Sequence, residues 1–461
     1  MSAASHPSAP KSASETHRAE PTQPADGGTG AGAAAAGSSV EQAVFAAAGR
    51  AREAQPVLAR LHRDAKDALL NAMAQALIAS AEQILAANAR DLERADAEGI
   101  APGLRDRLLL DESRLSAIAQ QLRDAAALPD PVGEVIRGGL LRNGLELRAV
   151  RVPMGVIGMV YEARPNVTVD AAALALKSGN AVVLRGGSAA LHSNTALIAV
   201  LCETLREQGL PEGLVVGIDE YGRDGVDALM RARGLVDVLI PRGGAGLIRR
   251  VVENSTVPVI ETGTGNTHIF VDASAETDEA VAIIQNAKTQ RVGVCNALET
   301  LLVHRDAAPC VLGPVGQTLA ERDVTLHACP QAAEILEREA PQARIVPASE
   351  EDWATEYLSL DLAVRVVEDL DEALAHIRRY SSGHTESILT RCVTSQQRFL
   401  AEVDSAVVMA NASTRFSDGG EFGFGAEIGI STQKLHARGP MGLPELTSVK
   451  WIVVGQGHVR P

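Results

Sequence analysis

The chain has 461 residues, which suggests about two to four domains, and with only 3% aromatic residues its core must consist mainly of aliphatic side chains. Its net charge of −15, without a dominant basic block, argues against nucleic-acid binding as the main function, because phosphate neutralisation supplies most of that affinity. Five cysteines without metal-ligand spacing, no secretory signal and no long apolar run predict a cytoplasmic protein with free thiols, no metal site and no membrane span.

The N-terminal part of the chain divides into a tail and a helical segment. Residues 1–38 are rich in Ala, Gly, Ser, Pro and Thr, and this composition predicts a disordered tail. Residues 39–99 carry apolar side chains at helical spacing, with Leu69, Met73 and Leu77 on one face. We therefore predict that order begins near residue 39, with helices.

A β-hairpin is predicted next. Asn143-Gly144 separates two β-rich runs, and Asn-Gly in that setting is a strong hairpin signal. The chain ends with a further β-rich run at residues 449–454. This last run could pair with the hairpin and form a small separate module.

Strands and helices alternate through most of the remaining chain. Helices are predicted at residues 167–177 and 189–208. The predicted strands are 155–161, 181–185, 214–218 and 236–240, followed by a second series at 267–271, 300–303, 362–367 and 406–409. Short β-branched runs that alternate with helices indicate parallel, doubly wound sheets. The two series predict two α/β domains.

Cys295 is the first candidate for chemistry. It lies in the string VGVCNA (residues 292–297), after a polar helix end with Lys288 and Arg291. A catalytic thiol needs access and a lowered pKa, which cations and backbone N–H groups can provide. The alternative is an inert cysteine, because most free cysteines are buried.

Two glycine turns each follow a predicted strand and precede a helix. They are Arg185-Gly-Gly187-Ser188 and Arg242-Gly243-Gly244. Such turns place backbone N–H groups at a helix N-terminus, where an anion binds well. They could equally be tight strand-to-helix connections.

Polar side chains at strand ends supply further candidates. Asn166 could donate a hydrogen bond to a developing oxyanion, or it could cap the following helix. Glu261 could be a general base, or it could only hold a glycine-rich connection. His268, His384 and His436 show no metal spacing and are interpreted as structural.

These residues and the strings around them resemble a known family. Cys295, Glu261 34 residues upstream, Asn166 and Arg185 follow the order of the aldehyde dehydrogenase superfamily. Longer strings resemble its γ-glutamyl phosphate reductase family: YEARPNVT (161–168), ALKSGN (175–180), RVGVCNALET (291–300), SGHTES (382–387), FGFGAEIGIS (422–431) and HARGPMG (436–442). The resemblance covers the chain from about residue 40 to its end.

The resemblance implies an α/β fold of the aldehyde dehydrogenase type with three modules. A Rossmann-like cofactor domain would comprise residues 39–132 and 153–261, and an α/β catalytic domain residues 262–445. A small β oligomerisation module would combine residues 133–152 and 446–461. The resemblance also implies a homo-oligomer, and a contact with glutamate kinase is possible.

The resemblance further implies a reaction. L-Glutamyl 5-phosphate would be reduced by NADPH to L-glutamate 5-semialdehyde with release of phosphate, a step of proline biosynthesis. Cys295 would form a thioester, and Asn166 with the Cys295 backbone N–H would hold the oxyanion. Hydrogen bonds from such donors stabilise the tetrahedral intermediate and so lower the activation barrier.

Other residues follow from the resemblance with defined roles. The cofactor residues would be Arg185, Gly187 and Ser188 at the adenosine ribose, Gly243 and Gly244 at the pyrophosphate, Glu356 at a ribose, and Glu261. The substrate carboxylate or phosphate would be held by Arg164, Lys288, Arg291 and Arg438, although each could instead form only a surface ion pair. Glu261-Thr-Gly-Thr replaces Glu-Leu-Gly-Gly of hydrolytic members, which argues against a water-activating role for Glu261.

Two alternative functions stay open on the sequence alone. A hydrolytic semialdehyde dehydrogenase would reduce its cofactor without any need for phosphate. A noncatalytic scaffold of the same fold would tolerate Cys295→Ser. The residues do not decide between NADPH and NADH.

Overall fold

The computed structural model describes residues 31–100, 102–162 and 164–460, with side chains from residue 39 onward except that of Pro102. Two compact units are distinguished, Met1–Ser39 and Val40–Pro461. The helices that precede the sheets are α1 (Ala31–Leu58), α2 (Arg63–Ala79), α3 (Ala81–Ala97), α4 (Pro102–Leu108) and α5 (Glu112–Ala127). The prediction of helices over residues 39–99 is therefore confirmed.

The predicted disordered tail needs a correction. Its first 30 residues lie outside the described part of the chain. Residues 31–38, however, are the first residues of α1 rather than disordered chain. Alanine fills five of the seven positions from 31 to 37 and has the highest helix propensity of any residue, which explains why the helix begins before residue 39.

The first α/β layer is a four-stranded parallel sheet. Its strands are β3 (Val156–Tyr161), β4 (Ala181–Arg185), β5 (Val215–Gly217) and β6 (Val238–Arg242), in the order β5-β4-β3-β6. The connecting helices are α6 (Pro165–Lys177), α7 (Leu191–Glu207) and α8 (Gly222–Arg231), and α9 (Ala245–Asn254) follows β6. The chain reverses direction across the sheet between β3 and β6, and such switch points form ligand crevices at the carboxyl ends of strands.

The second layer is a seven-stranded parallel sheet in the order β10-β9-β11-β8-β7-β12-β13. Its strands are β7 (Thr267–Val271), β8 (Leu298–His304), β9 (Thr325–Ala328), β10 (Arg344–Pro347), β11 (Asp361–Val367), β12 (Thr385–Leu389) and β13 (Val407–Ala410). Its helices are α10 (Thr277–Thr289), α11 (Ala308–Ala320), α12 (Pro330–Glu339), α13 (Leu370–Tyr380) and α14 (Val393–Glu402). The predicted alternation is confirmed for both series, although β9, β10 and β12 were not predicted.

A three-stranded antiparallel sheet joins the hairpin around residue 143 to the last strand of the described chain. It contains β1 (Val135–Leu140), β2 (Glu146–Pro153) and, after the short pair β14 (Ile430–Ser431) and β15 (Gly439–Pro440), the last strand β16 (Thr447–Val454). Gly144 has a φ of +86°, a value that glycine adopts without strain, and this explains the turn between β1 and β2. The predicted pairing of the C-terminal run with the hairpin is present.

The described helices do not individually have the properties of a membrane span. Within the described residues, no individual helix has both the length and the apolar character needed to cross a membrane. The helices Arg63–Ala79 and Ala81–Ala97 meet the criterion only as a pair, bent by 68°. Their apolar faces belong to the buried core, where Leu70, Met73 and Leu77 have no exposed surface.

Candidate active site

A cleft of about 490 Å³ lies at the carboxyl ends of β3 and β6. The ends of these strands contribute Tyr161 and Arg242, and α6 contributes Asn166. The loop before β8 brings Cys295 into the same cleft, and residues 418–430 line it as well. The cleft therefore lies at the switch point of the four-stranded sheet, where fold geometry favours a ligand site.

Cys295 is half-buried in the loop between α10 and β8. Its backbone is pressed against Gly265, where an added Cβ would lie 1.6 Å from the Cys295 carbonyl oxygen, so only glycine fits there. Burial raises the pKa of the Cys295 thiol to about 12, and the carboxylates of Glu427 and Glu356 raise it further against the effect of Arg242. The expected lowering of this pKa is therefore wrong for the free protein, because burial outweighs the nearby cations.

Asn166 lies in the first turn of α6 and lines the cleft. The N-cap of this helix is Arg164, so Asn166 is inside the helix and the capping alternative is wrong. Its Nδ2 donates to Asp170 Oδ2 at 3.1 Å, one turn further along. A side-chain amide carries two N–H groups, which leaves one for a ligand.

Five arginines line the cleft, and among the described residues none of them forms an ion pair: Arg107, Arg164, Arg242, Arg291 and Arg415. Burial lowers the pKa of Arg164 to about 10, and the charges of Arg107, Arg242 and Arg291 lower it further. The charge of Glu162 acts against this lowering at Arg164, and an anionic ligand bound to the arginines would reduce their mutual repulsion further.

Carboxylates also reach the cleft, and several are held by the backbone. Glu356 Oε1 accepts a hydrogen bond from Gly265 N at 2.6 Å, which fixes this side chain beside the Cys295 loop. Glu427 Oε2 accepts from Gly419 N at 2.9 Å. Burial raises the pKa of both carboxyl groups. They are the carboxylates whose charges act on the Cys295 thiol.

The predicted cofactor residues fall into two groups. Gly243 and Gly244 line the cleft at the N-terminus of α9. The Gly244 N–H, predicted to meet a pyrophosphate, donates to Glu162 Oε1 at 2.8 Å. Glu356 lines the cleft too. Glu261 does not line the cleft, and the backbone N–H of Glu261 donates to Gln433 Oε1 at 3.3 Å.

Arg185, Gly187 and Ser188 lie at the end of β4 and do not line the cleft. Arg185 Nε donates to the Gly222 carbonyl at 3.1 Å. Burial lowers the pKa of Arg185, and the charges of Arg223 and Arg250 contribute to the lowering. The strand end therefore carries a second group of cations, apart from the one around Cys295.

Two of the four predicted substrate residues lie outside the cleft. Lys288 is fully buried, and its Nζ donates to Glu299 Oε2 at 2.7 Å and to the Leu298 carbonyl at 2.8 Å. Arg438 is paired with Asp404 at 2.9 Å. The assignment of these two cations to the substrate is corrected, because each already has a carboxylate partner. Arg164 and Arg291 do line the cleft, as predicted.

Several residues that the fold brings to the cleft were not predicted as site residues: Arg107, Asp170, Arg242, Arg415 and Glu427. Two of them carried a usable signal. Arg242 precedes the Gly243-Gly244 turn, and Asp170 lies four residues after Asn166 on the same helix face. Arg107 and Arg415 come from α4 and from a loop after β13, and nothing near them in the sequence indicates the cleft.

This arrangement places a thiol, a side-chain amide and five cations around one cavity at a sheet switch point. The sequence matches the aldehyde dehydrogenase family model over residues 11–325. The chain therefore belongs to the aldehyde dehydrogenase family. An acetylating aldehyde dehydrogenase from Geobacillus thermoglucosidasius, 17% identical over 92% of this chain and 99% of that one, shares the fold with a TM-score of 0.66.

Within that family the similarity to γ-glutamyl phosphate reductases is much higher. The reductase of Bifidobacterium adolescentis is 56% identical over 91% of this chain and 99% of its own length. That of Thermobifida fusca is 58% identical over the same shares. The crystal structure of the Thermotoga maritima reductase covers 91% of this chain and 100% of that one, with 47% identity and a TM-score of 0.87. The chain belongs with the γ-glutamyl phosphate reductases.

Proposed function

We propose that this protein reduces L-glutamyl 5-phosphate with NADPH to L-glutamate 5-semialdehyde and releases phosphate, in proline biosynthesis. The observation that carries the proposal is the cleft itself: Cys295 shares it with five arginines that have no ion-pair partner among the described residues. A substrate with a phosphate and a carboxylate would give these arginines the ion-pair partners that they lack among the described residues. Arginine suits both groups, because its planar fork binds either one through two hydrogen bonds.

The residues at the strand ends fit a nicotinamide dinucleotide. The cleft opens at the switch point between β3 and β6, and Gly243 and Gly244 lie at the N-terminus of α9, where a phosphate is favoured. Arg185 at the end of β4 and Arg223 in the first turn of α8 are neighbouring cations. They would hold the 2′-phosphate that distinguishes NADPH from NADH. When bound, the cofactor supplies the hydride that reduces the thioester.

The protein's own residues perform the other steps. The Cys295 sulfur attacks the acyl carbon after its proton passes to Glu427 or Glu356, the carboxylates that act on it. Asn166 Nδ2 and the Cys295 N–H stabilise the oxyanion, and removal of one such donor typically costs about 10²–10³ in rate. The arginines hold the phosphate as the C–O bond breaks. A thioester with Cys295 remains, so two easier steps replace one harder step.

The hydrolytic alternative is less well supported. It needs a carboxylate that activates water at the thioester, and Glu261, which the sequence left open as a general base, does not line the cleft. The scaffold alternative does not explain why five arginines without an ion-pair partner among the described residues share a cleft with a thiol.

The test is the reverse reaction. Purified protein is mixed with glutamate 5-semialdehyde and NADP, and formation of NADPH is followed with and without phosphate. Reduction of NADP that requires phosphate, and that disappears in Cys295→Ser, is expected. Reduction that is independent of phosphate would identify a hydrolytic enzyme, and no reduction with NADP or NAD would refute the proposal. Cys310→Ser, at an exposed thiol, is the matched control.

The proposal extends to assembly and location. The antiparallel sheet exposes Val135, Ile136 and Leu140 on β1 and Trp451 and Val453 on β16. Apolar strands at a surface favour association with a second copy of the chain, so we propose a homo-oligomer joined through this sheet. A cytoplasmic location fits the free cysteines. The contact with glutamate kinase stays a prediction.

A further inference from the structure

One carboxylate in the cleft differs from the others in its partners. Six carboxylates line the cleft: Asp124, Glu162, Asp170, Glu356, Asp418 and Glu427. Four of them accept a hydrogen bond from a backbone N–H, and Asp124 accepts one from Gln120. Among the described residues each of the six has one such partner and no ion pair, and Asp170 differs in that its partner is Asn166 Nδ2, the side chain predicted to hold the oxyanion.

The position of Asp170 relative to Asn166 is set by the helix. The two residues are four apart on α6, so they share one face, and their side chains are joined at 3.1 Å. Four residues advance the helix axis by about 6 Å. When Asn166 holds the reacting carbon of a ligand, the part of the ligand about one helical turn further into the cleft therefore lies beside Asp170.

The surroundings of Asp170 require compensation for its charge. Burial raises its pKa to about 6, while Arg242 and the hydrogen bond from Asn166 lower it. The carboxyl group lies in a partly buried place, and among the described residues it has no ion-pair partner. A cationic group on the ligand would offset this desolvation, since buried charges are stable when they are paired and hydrogen-bonded.

We propose that Asp170 binds the ammonium group of the substrate and so restricts the enzyme to acyl phosphates of an α-amino acid. This inference rests on the proposed function. In L-glutamyl 5-phosphate, three carbon–carbon bonds of about 1.5 Å each separate the reacting carbon from the carbon that bears the ammonium group. That length is comparable with the helical turn between Asn166 and Asp170. The five arginines bind the two anionic groups, and Asp170 binds the single cationic one.

Asp170 also orients Asn166, and the two roles can be separated by substitution. Asp170→Asn removes the negative charge, but its side-chain oxygen can still accept the hydrogen bond from Asn166. Asp170→Ala removes both the charge and the acceptor. Recognition of the ammonium group is therefore lost in both variants, whereas the orientation of Asn166 is lost only in Asp170→Ala.

The experiment compares two aldehydes in the reverse reaction with NADP and phosphate. One is glutamate 5-semialdehyde and the other is 5-oxopentanoate, which has the same chain and carboxylate but no ammonium group. The wild-type enzyme is expected to prefer the first. Asp170→Asn should lower kcat/KM for glutamate 5-semialdehyde by about 10- to 150-fold, mainly through an increase in KM. This fold-change corresponds to the free energy of one hydrogen bond to a charged group. The kcat/KM of Asp170→Asn for 5-oxopentanoate should stay the same or rise.

Two control variants sharpen the comparison. Asp371→Asn removes a carboxylate from a surface pair with Arg398 and should change neither substrate's kinetics. Asp124→Asn removes the competing candidate, the cleft carboxylate on α5. The proposal is overturned if Asp170→Asn lowers kcat for both aldehydes in parallel, which would mean that Asp170 acts only through Asn166. It is also overturned if Asp124→Asn alone removes the preference for the amino substrate.

A measurement on the wild-type protein covers the case in which the Asp170 variants fail to fold. L-Glutamate and glutarate differ only in the ammonium group, and L-glutamate should inhibit the reverse reaction at concentrations at least about 10-fold lower. Equal inhibition by the two would contradict the proposal. Failure of the proposed function itself would look different, because the wild-type enzyme would then show no phosphate-dependent reaction with glutamate 5-semialdehyde.

Discussion

Single side chains in the cleft have separable effects on rate and on binding. Asn166 lines the cleft with one amide N–H that is not used by Asp170. Asn166→Ala is expected to lower kcat by about 10²–10³ with little change in KM, because the lost hydrogen bond is made in the transition state. Steady-state kinetics of the reverse reaction measure this. Asn71→Ala, at an exposed amide, is the control, and a change in KM alone would contradict the assignment.

The carboxylate of Glu162 accepts the hydrogen bond of the Gly244 N–H, the donor that a cofactor phosphate is expected to use. Its carboxylate accepts from Gly244 N at the N-terminus of α9, so a phosphate must displace it and is repelled by its charge. Glu162→Gln should therefore lower KM for NADP by about 2- to 5-fold, the size of an exposed interaction at a helix terminus. Glu203→Gln, in a surface pair with Arg206, should leave this KM unchanged. An increased KM would show that Glu162 helps to hold the cofactor.

Two buried histidines predict how stability depends on pH. Burial lowers the pKa of His376 to about 2 and that of His384 to about 4, whereas an unfolded histidine has a pKa of about 6.5. Below about pH 6.5 the unfolded chain binds more protons than the folded chain, so stability is complete above this pH and falls as the pH decreases. Each histidine should cost up to about 1.4 kcal/mol per pH unit in this window.

The measurement is the apparent Tm at neutral pH and at about pH 5.5. His376→Gln should show a smaller decrease than the wild-type protein, and the exposed His62→Gln should show the same decrease. The comparison with variants isolates the histidines, because carboxyl groups with a raised pKa, such as Asp170, act in the opposite direction. An equal decrease in His376→Gln would refute the prediction.

At the scale of elements, a buried ion pair beneath the cleft supports its wall. Lys288 on α10 and Glu299 on β8 are both fully buried and joined at 2.7 Å. Glu299 Oε1 accepts from Leu358 N at 3.1 Å, and Leu358 has a φ of +54°, a strained value for leucine. The pair thus fixes the segment that carries Glu356 to the Cys295 loop. Lys288 therefore has a structural role, in place of the substrate contact that the resemblance implied.

Removal of one partner of this pair should destabilise the protein strongly. Lys288→Met leaves a carboxylate buried without compensation, and we expect a loss of about 3–5 kcal/mol. The double variant Lys288→Met with Glu299→Leu should recover much of that stability, because no unpaired charge remains. Thermal unfolding measures both. If the double variant were less stable than Lys288→Met alone, the unpaired buried charge would not be the main cause of the loss of stability.

Prediction from the sequence succeeded where the signal was local. Periodicity and the Asn143-Gly144 turn were sufficient for the helices within residues 39–99, 167–177 and 189–208, for most strands and for the hairpin. The strand β12 was missed because Thr385, Glu386 and Ser387 are polar, although they are fully buried. In the cleft, Cys295 and Asn166 stand in recognisable strings. Arg107 and Arg415 reach it only through tertiary packing, so no spacing along the chain could indicate them.

For the whole molecule, the exposed antiparallel sheet is the surface through which we propose that copies of the chain associate. Trp451, Val453 and Val449 on β16 are each exposed by 45% or more. Trp451→Glu combined with Val453→Glu places charges on the proposed contact surface and should convert the oligomer to a smaller species in sedimentation velocity. Ile78→Glu, at an exposed apolar residue on α2, should leave the assembly unchanged. An unaltered sedimentation coefficient in the double variant would move the interface elsewhere.

The protonated state of the Cys295 thiol has a consequence for damage by peroxide. Peroxide oxidises thiolates rather than thiols, and the pKa of about 12 keeps the free protein almost entirely in the thiol form. The enzyme at rest should therefore survive oxidative stress that inactivates enzymes with permanently ionised cysteines. Turnover should protect it further, because the sulfur is then held in the thioester, so exposure to peroxide together with substrate should inactivate the enzyme more slowly than peroxide alone.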